Sequence, residues 1–279
     1  MPRTDGPPPG PAWLFCPGDR PDRYAKAAAA ADVVILDLED AVAHDAKASA
    51  RGSVVAALGA GDLDPARVVV RINPLESRWG LDDLATLRDT DLPTVMLPKA
   101  AGVIDPAVFG HLTVVALCET ARGITTAHQV AASAPCVAIA WGGQDLAADL
   151  GAPPLDASTG DLHVSGHHAR MAVRFAAAAA DIPAIDTVRT DVNDEEGLRR
   201  EARGATEMGY VGKLVIHPRQ VDPIREAFLP SDDDLAWARR VEQALETHDT
   251  GVLLVDGEMV DAPVVARARR TLARAGAPG

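Results

Sequence analysis

The chain has 279 residues, 47% hydrophobic and 24% charged, with 40 acidic against 27 basic side chains and a net charge of -13. That length is enough to bury a sizeable core as one large α/β domain or two small ones, and the composition is ordinary for a soluble globular protein. The acidic balance argues against a nucleic-acid or anionic-membrane surface, while leaving room for one anionic small molecule at a local basic cluster.

Residues 1–11, MPRTDGPPPGP, carry no apolar stretch after the basic residue and read as a disordered leader rather than a signal peptide. No run approaches membrane-spanning length. Ala12 to Cys16 is a short apolar strand, stopped by Pro17 and Gly18. Tyr24 to Ala31 is alanine-rich and helical. The run Asp32 to Asp40, DVVILDLED, has a largely β-branched centre from Val33 to Leu36 with no polar alternation, the pattern of a strand buried on both faces. The alternation then repeats: helix Asp45 to Leu58, strand Arg67 to Asn73, helix Leu81 to Arg88, strand Thr94 to Ala100, short helix Pro106 to Gly110.

The stretch Val114 to Leu150 reads as strand, turn, helix (Thr125 to Ser133), strand, turn. An insertion, Gly151 to Ser165, leads into helix His167 to Ala180. Strand Ala184 to Thr190 and helix Asp194 to Met208 follow, the helix with Asp194 as N-cap and acidic residues in its first turn. Gly212 to Pro218 is the last strand of this series. Beyond it come helix Ser231 to His248, a short hairpin turning at Asp256-Gly257, and a final amphipathic helix ending at Gly276.

Cys16, Cys118 and Cys136 lie in apolar runs with no metal or redox spacing, which reads as packed, reduced thiols in a cytoplasmic protein. Roughly eight strand–helix units are the number that closes a parallel (β/α)8 TIM barrel. An open doubly wound sheet is the alternative, weakened by the lack of GxGxxG after the first strand. The expected organisation is a leader (1–11), a barrel domain (12–230) and a helical and hairpin C-terminal extension (231–279) that covers the barrel or reaches a partner subunit.

In a barrel the active site lies at the C-terminal strand ends. Those ends carry Asp37, Glu39 and Asp40; Arg71 and Asn73; Lys99; Glu119; Asp145; Asp186; and His217. Glu119 and Asp145 follow two strands expected to be parallel neighbours, so their carboxylates repel and each raises the other's pKa. A divalent cation relieves that repulsion. An ion pair with Arg122 and an N-cap of the following helix is the plain structural alternative. Lys99 is a candidate Schiff-base lysine on barrel grounds alone. Asp37, Glu39 and Asp40 either support the site or form salt bridges with Arg71 or Lys99.

The segments LFCPGDRPDRYAKA, DVVILDLEDAV, VVRINPLESRWGLDDL, VMLPKA, ALCETARGI, WGGQDLAADLG, GKLVIHPRQV and DGEMVDAPVV run from Leu14 to Val265. In that order they resemble the citrate lyase β-subunit and malyl-CoA lyase group of CoA-ester lyases, related to the HpcH/HpaI aldolases. The resemblance implies a Mg2+-dependent barrel, with Mn2+ as an alternative ion, that assembles as a homotrimer or hexamer. It implies Glu119 and Asp145 as metal ligands and Arg71 as the group that binds the substrate's carboxylate and carbonyl oxygens. It further implies Gly142 and Gly143 at the substrate, Arg20 and Lys26 at CoA phosphates, and Asp261 as an acid/base supplied from the neighbouring subunit. Many relatives carry an acidic residue where this chain has Gln144.

The implied reaction cleaves or forms a β-hydroxyacyl-CoA thioester of the malyl, citramalyl or citryl type, giving a 2-keto acid and a shorter acyl-CoA by Claisen-type chemistry. A pyruvate aldolase that needs no CoA and a non-catalytic CoA-ester-binding subunit of a larger complex are the two alternatives.

Overall fold

The structure, a computed structural model, describes residues 6–153, 155–156, 160–246 and 253–276. The chain forms two compact units, Met1–Ile224 and Arg225–Gly279. In the first, β1 (Ala12–Pro17), β2 (Val33–Asp37), β3 (Val68–Arg71), β4 (Thr94–Leu97), β5 (Thr113–Cys118), β6 (Cys136–Trp141), β7 (Ala184–Asp186) and β8 (Gly212–Val215) pair in sequence order. Every neighbouring pair is parallel, and β8 pairs back onto β1. The ring is closed, which decides between the barrel and the open sheet.

The strands are short, mainly apolar runs, with β-branched residues densest in β2 and β3, and they are buried on both faces because helices cover the outside and side chains fill the inside. The helices are α1 (Tyr24–Ala30), α2 (Lys47–Ala60), α3 (Gly80–Leu87), α4 (Pro106–Phe109), α5 (Ala121–Thr125), α6 (Ala127–Ala132), α7 (Gly143–Leu150), α8 (Val164–Ala179), α9 (Glu195–Glu207) and α10 (Val221–Phe228). Asp194 caps α9 as expected, accepting from the Gly197 N–H. Three helices depart from the sequence expectation. The segment WGGQDLAADL, read as a turn, contains α7. The segment before Thr125 contains α5, capped by Thr120. The strand expected to run to Pro218 stops at Val215, and after a 3-10 turn over Pro218–Gln220 the chain continues as α10, whose Pro223 lies in the first turn where a missing N–H costs nothing.

Side chains alternate along each strand, and that alternation positions the site. Trp13, Ile35, Val69, Leu117, Ala140, Ile185 and Leu214 pack inside the barrel. The next inward positions towards the strand C-termini are Phe15, Asp37, Arg71, Glu119, Gly142, Thr187 and Ile216, all of which line one cavity.

The second unit contains α11 (Asp232–Glu246), β9 (Leu253–Val255), β10 (Glu258–Val260) and α12 (Ala262–Gly276). Ala238, Val241, Val255, Val260 and Ala268 form its own core. Asp256 and Gly257 both have positive φ, 53 and 85°, which is the two-residue hairpin turn that Asp-Gly favours. The expected helix end at His248 and hairpin start at Gly251 lie outside the described residues. Among the described residues no helix is long and apolar enough to cross a membrane. Cys16, Cys118 and Cys136 are buried.

Candidate active site

A cavity of about 440 Å3 opens at the C-terminal mouth of the barrel. Asp37 and Arg71 are register partners on β2 and β3, so their side chains emerge side by side. Arg71 donates from Nε and Nη2 to the two Asp37 oxygens, both at 2.7 Å. Backbone N–H groups of Glu39 and Ala41 also donate to Asp37. Burial disfavours the ionised carboxyl, but the Arg71 charge and these hydrogen bonds outweigh it and hold Asp37 below the usual carboxylate range. Burial likewise opposes the Arg71 charge, and Asp37 and Glu39 reverse that, so Arg71 stays cationic. Its guanidinium lies 4.7 Å from the Phe15 ring.

With Asp37 on the Nε–Nη2 edge, the Nη1 side of Arg71 faces its other partners. Glu39 Oε2 lies 3.0 Å from Nη1 and Asp40 3.6 Å. Glu39 Oε2 is buried yet accepts no well-directed hydrogen bond among the described residues. Nη1 is therefore the end of Arg71 that Asp37 leaves unbound, and Glu39 and Asp40 pair with it.

Glu119 follows β5, and Gly142 follows β6 at the matching register, one step past the Cys118–Trp141 pair. A β-carbon at Gly142 would sit 2.6 Å from Glu119 Oε2. Only glycine keeps the space beside that oxygen open. Burial, then the Glu39 and Asp145 carboxylates, push Glu119 up to about 8, against the pull of Arg71 and Lys99. Glu119 Oε1 accepts the Lys99 backbone N–H at 3.0 Å. Lys99 reaches this pose with φ of 51°, a left-handed conformation that a lysine seldom adopts.

Asp145 lies in the first turn of α7. Lys99 Nζ is 3.5 Å from Asp145, 4.0 Å from Glu119 and 2.6 Å from Glu39. The two carboxylates thus converge on one ammonium. Burial would lower the Lys99 pKa, but hydrogen bonding to Glu39 and the surrounding carboxylates raise it. A firmly protonated amine is a poor nucleophile, so the Schiff-base role is not supported. The plain alternative for the two carboxylates also fails: Thr120 caps α5, and Arg122 pairs with neither Glu119 nor Asp145 among the described residues.

Around the cavity, five carboxylates (Asp37, Glu39, Asp40, Glu119, Asp145) connect to two cations (Arg71, Lys99). The cluster is short of positive charge, which fits a bound cation. The donors are hard oxygens, suited to Mg2+ or Mn2+ rather than a soft thiophilic metal. Among the described residues no group of three or more His, Cys, Asp or Glu side chains is placed to hold a metal by itself. Two protein carboxylates with open positions suit an ion that keeps water and substrate in its shell.

The cavity is lined by Arg71, Glu119, Gly142, Gly143 and Asp145, with Asp37, Gln144 and Thr187 beside them. Arg20 and Lys26 do not line it. Arg20 is tied to Asp22 by two hydrogen bonds, at 2.9 and 2.8 Å, and Lys26 is exposed on α1. Asp261 belongs to the second unit, where its backbone carbonyl accepts the Val265 N–H and its side chain lies 3.4 Å from the Val264 N–H. Three strand-end residues serve other ends. Asn73 donates to Asp83, and His217 Nδ1 accepts the Arg219 N–H. Asp186 points outward into the helix layer, where Arg170 and Lys213 pair with it. Thr187 escaped the sequence reading; it is the inward neighbour of Asp186, and strand alternation is the signal that separates the two.

A family model, HpcH/HpaI aldolase/citrate lyase, matches residues 12–103 and 107–218. The chain belongs to that family. It is 45% identical over 267 residues to a citrate lyase subunit beta-like protein of Mycobacterium tuberculosis, covering 96% of each chain. It is 34% identical over 273 residues to a (3S)-malyl-CoA thioesterase of Cereibacter sphaeroides, covering 94% of this chain and 93% of the relative. The crystal structure of CitE from Mycobacterium tuberculosis in complex with magnesium, acetoacetate and coenzyme A superimposes with a TM-score of 0.88 at 44% identity, over 96% of this chain and 99% of that one. In this HpcH/HpaI member the motifs ETARG and GGQDL supply the two converging carboxylates, and VVRIN supplies the buried arginine.

Proposed function

We propose that this chain is a Mg2+-dependent carbon–carbon lyase that cleaves or forms a β-hydroxyacyl-CoA thioester, exchanging it with a 2-keto acid and a shorter acyl-CoA. The observation that carries this reading is the charge-deficient cluster in which Glu119 and Asp145 converge beside Arg71. The magnesium and coenzyme A in the similar CitE structure support it.

Glu119 and Asp145 are the residues that hold the ion; Mn2+ substitutes for it. When bound, the ion is a Lewis acid that polarises the keto-acid carbonyl. Arg71 grips the keto-acid carboxylate through Nη1, while Asp37 keeps the guanidinium plane fixed. Gly142 and Gly143 bring backbone close to the substrate. Phe15, Leu117, Val188 and Leu214 form the apolar floor that keeps water from the reacting carbons. Asp261, supplied by a neighbouring subunit of a homotrimer or hexamer, removes a proton from the α-carbon of the shorter acyl-CoA. The electron pair left on that carbon forms the new bond to the keto carbon, and the keto oxygen takes up a proton as it becomes a hydroxyl. Cleavage is the reverse. Arg20 and Lys26 meet CoA phosphates; Arg20 exchanges its exposed Asp22 partner for them.

The test is a panel of malyl-, citramalyl- and citryl-CoA with Mg2+, read for both keto acid and free CoA. The expected result is keto acid and shorter acyl-CoA in equal amounts, dependent on Mg2+. Free CoA without keto acid would instead indicate thioester hydrolysis, the activity for which the Cereibacter relative is named. Equal cleavage of substrates lacking CoA would point to the aldolase, and binding without turnover to a non-catalytic subunit. Mixing Asp261→Asn with Arg71→Ala protein should restore part of the activity once subunits exchange; no recovery would count against a shared site.

A further inference from the structure

The end of β7 grips the end of β6 at two points. Asp186 accepts from Trp141 Nε1 at 2.8 Å, from Arg170 Nε and Nη2 at 3.0 and 2.8 Å, and from Lys213 Nζ at 2.9 Å. The next residue, Thr187, turns inward, and its Oγ1 accepts the Gly143 N–H at 2.9 Å. Between the two gripped points sits Gly142, whose Cα faces Glu119 so closely that a β-carbon would meet its Oε2 at 2.6 Å. Gly143 opens α7, which carries Asp145 in its first turn.

The start of α7 is unusual. Its N-cap is Gly142, which has no side chain to satisfy the first free N–H groups of the helix. Any capping residue there would fill the space beside Glu119. Thr187 supplies the missing hydroxyl from a neighbouring strand. One short peptide therefore forms the wall of one carboxylate and the base of the other, and β7 holds it.

We propose that Thr187, backed by the Asp186–Trp141 bond, is a positioning residue for the metal-binding pair: it fixes the start of α7, and so the placement of Asp145 relative to Glu119. The proposal rests on the metal reading above. A hydroxyl serving only as a helix cap would add stability and leave metal affinity alone; a positioning hydroxyl moves metal affinity.

The test uses the full-length protein and Mn2+ as the probe, with free Mn2+ read by electron paramagnetic resonance and thermal unfolding followed in chelator. Thr187→Val keeps the shape and removes the acceptor. Its Mn2+ dissociation constant should rise on the order of tenfold, the size of loss seen when a group behind a metal ligand is removed. Thr187→Ser should restore near-wild-type affinity. Trp141→Phe, which removes the indole N–H together with the five-membered half of the buried ring, should weaken Mn2+ binding in the same direction, and it carries the test if Thr187→Val does not fold. Unchanged affinity in the folded variants, or an equal loss in Thr187→Ser, would overturn the proposal. Wild-type protein that binds no Mn2+ would overturn the metal reading itself, a distinguishable result.

Discussion

Two buried ionic clusters lie on opposite sides of the barrel wall, built from the same residue types and used differently. The outer one joins Asp186, Glu201 and Asp194 to Arg170, Lys213 and Arg189, three acids to three bases. Its centre, Asp186 with Arg170 and Lys213, is buried between strands and helices, and Asp194 lies at its partly exposed edge. Burial disfavours its central charge, yet Lys213 and Arg170 outweigh burial and hold Asp186 below the ordinary carboxylate range. The inner cluster sets five acids against two bases and faces a cavity. There burial wins, and Glu119 is pushed up to about 8. A balanced buried network supports the fold; an unbalanced one beside a cavity is waiting for a ligand's charge.

The sharpest way to break this contrast is to neutralise the inner acids. Glu119→Gln and Asp145→Asn should each lower Mg2+-dependent turnover by roughly 10²–10³-fold or more, since the ion contributes several kcal/mol to the transition state. Steady-state kinetics checks this. The same Glu119→Gln protein, free of metal, should melt no lower than wild type, because the substitution removes a carboxylate that burial already disfavours.

Next in size is the outer cluster. Asp186→Ala leaves Arg170 buried without its carboxylate and Lys213 with Glu201 alone, and should cost about 3–5 kcal/mol in denaturant unfolding. A loss under about 1 kcal/mol would mean that the outer network is not structural, and the contrast would fail.

The two clusters also predict opposite pH behaviour. Asp186 has a folded pKa below its unfolded value, so its contribution is present above about pH 4 and is lost as pH falls through the folded pKa. Glu119 in the metal-free protein has a folded pKa raised to about 8. Its contribution is present below the unfolded carboxylate pKa of about 4.3 and is lost as pH rises towards the folded value. Metal-free wild type should therefore lose stability relative to Glu119→Gln between roughly pH 5 and 8, read as melting temperature against pH. Parallel curves for the two proteins would contradict the shift.

The smallest expected effect is at the surface. Arg20→Ala should raise KM for the CoA thioester a few-fold and leave kcat unchanged, the pattern of lost uniform binding.

The barrel was legible because its strands include continuous apolar, largely β-branched runs such as Val33–Leu36 and Val68–Val70, which lack the polar face of an amphipathic helix. Glu119 and Asp145 were legible because each closely follows such a run. Three features escaped for physical reasons. Helix α7 opens on two glycines with poor helix propensity, and the site needs Gly142 bare. Helix α10 begins just after Pro218 and contains Pro223, both of which read as breakers. Asp186 read as a mouth residue because its position along the strand was right but its side-chain direction was not. Counting alternate residues from Ile185 assigns the mouth to Thr187 instead.

The central claim is that Glu119 and Asp145 together hold one divalent ion. Anomalous diffraction from a crystal soaked with Mn2+ tests it most directly. The expected result is one strong peak per chain at the barrel mouth, about 2.0–2.3 Å from a carboxylate oxygen of each residue. A peak bonded to neither of them, or no peak while Mg2+-dependent turnover persists, would contradict it.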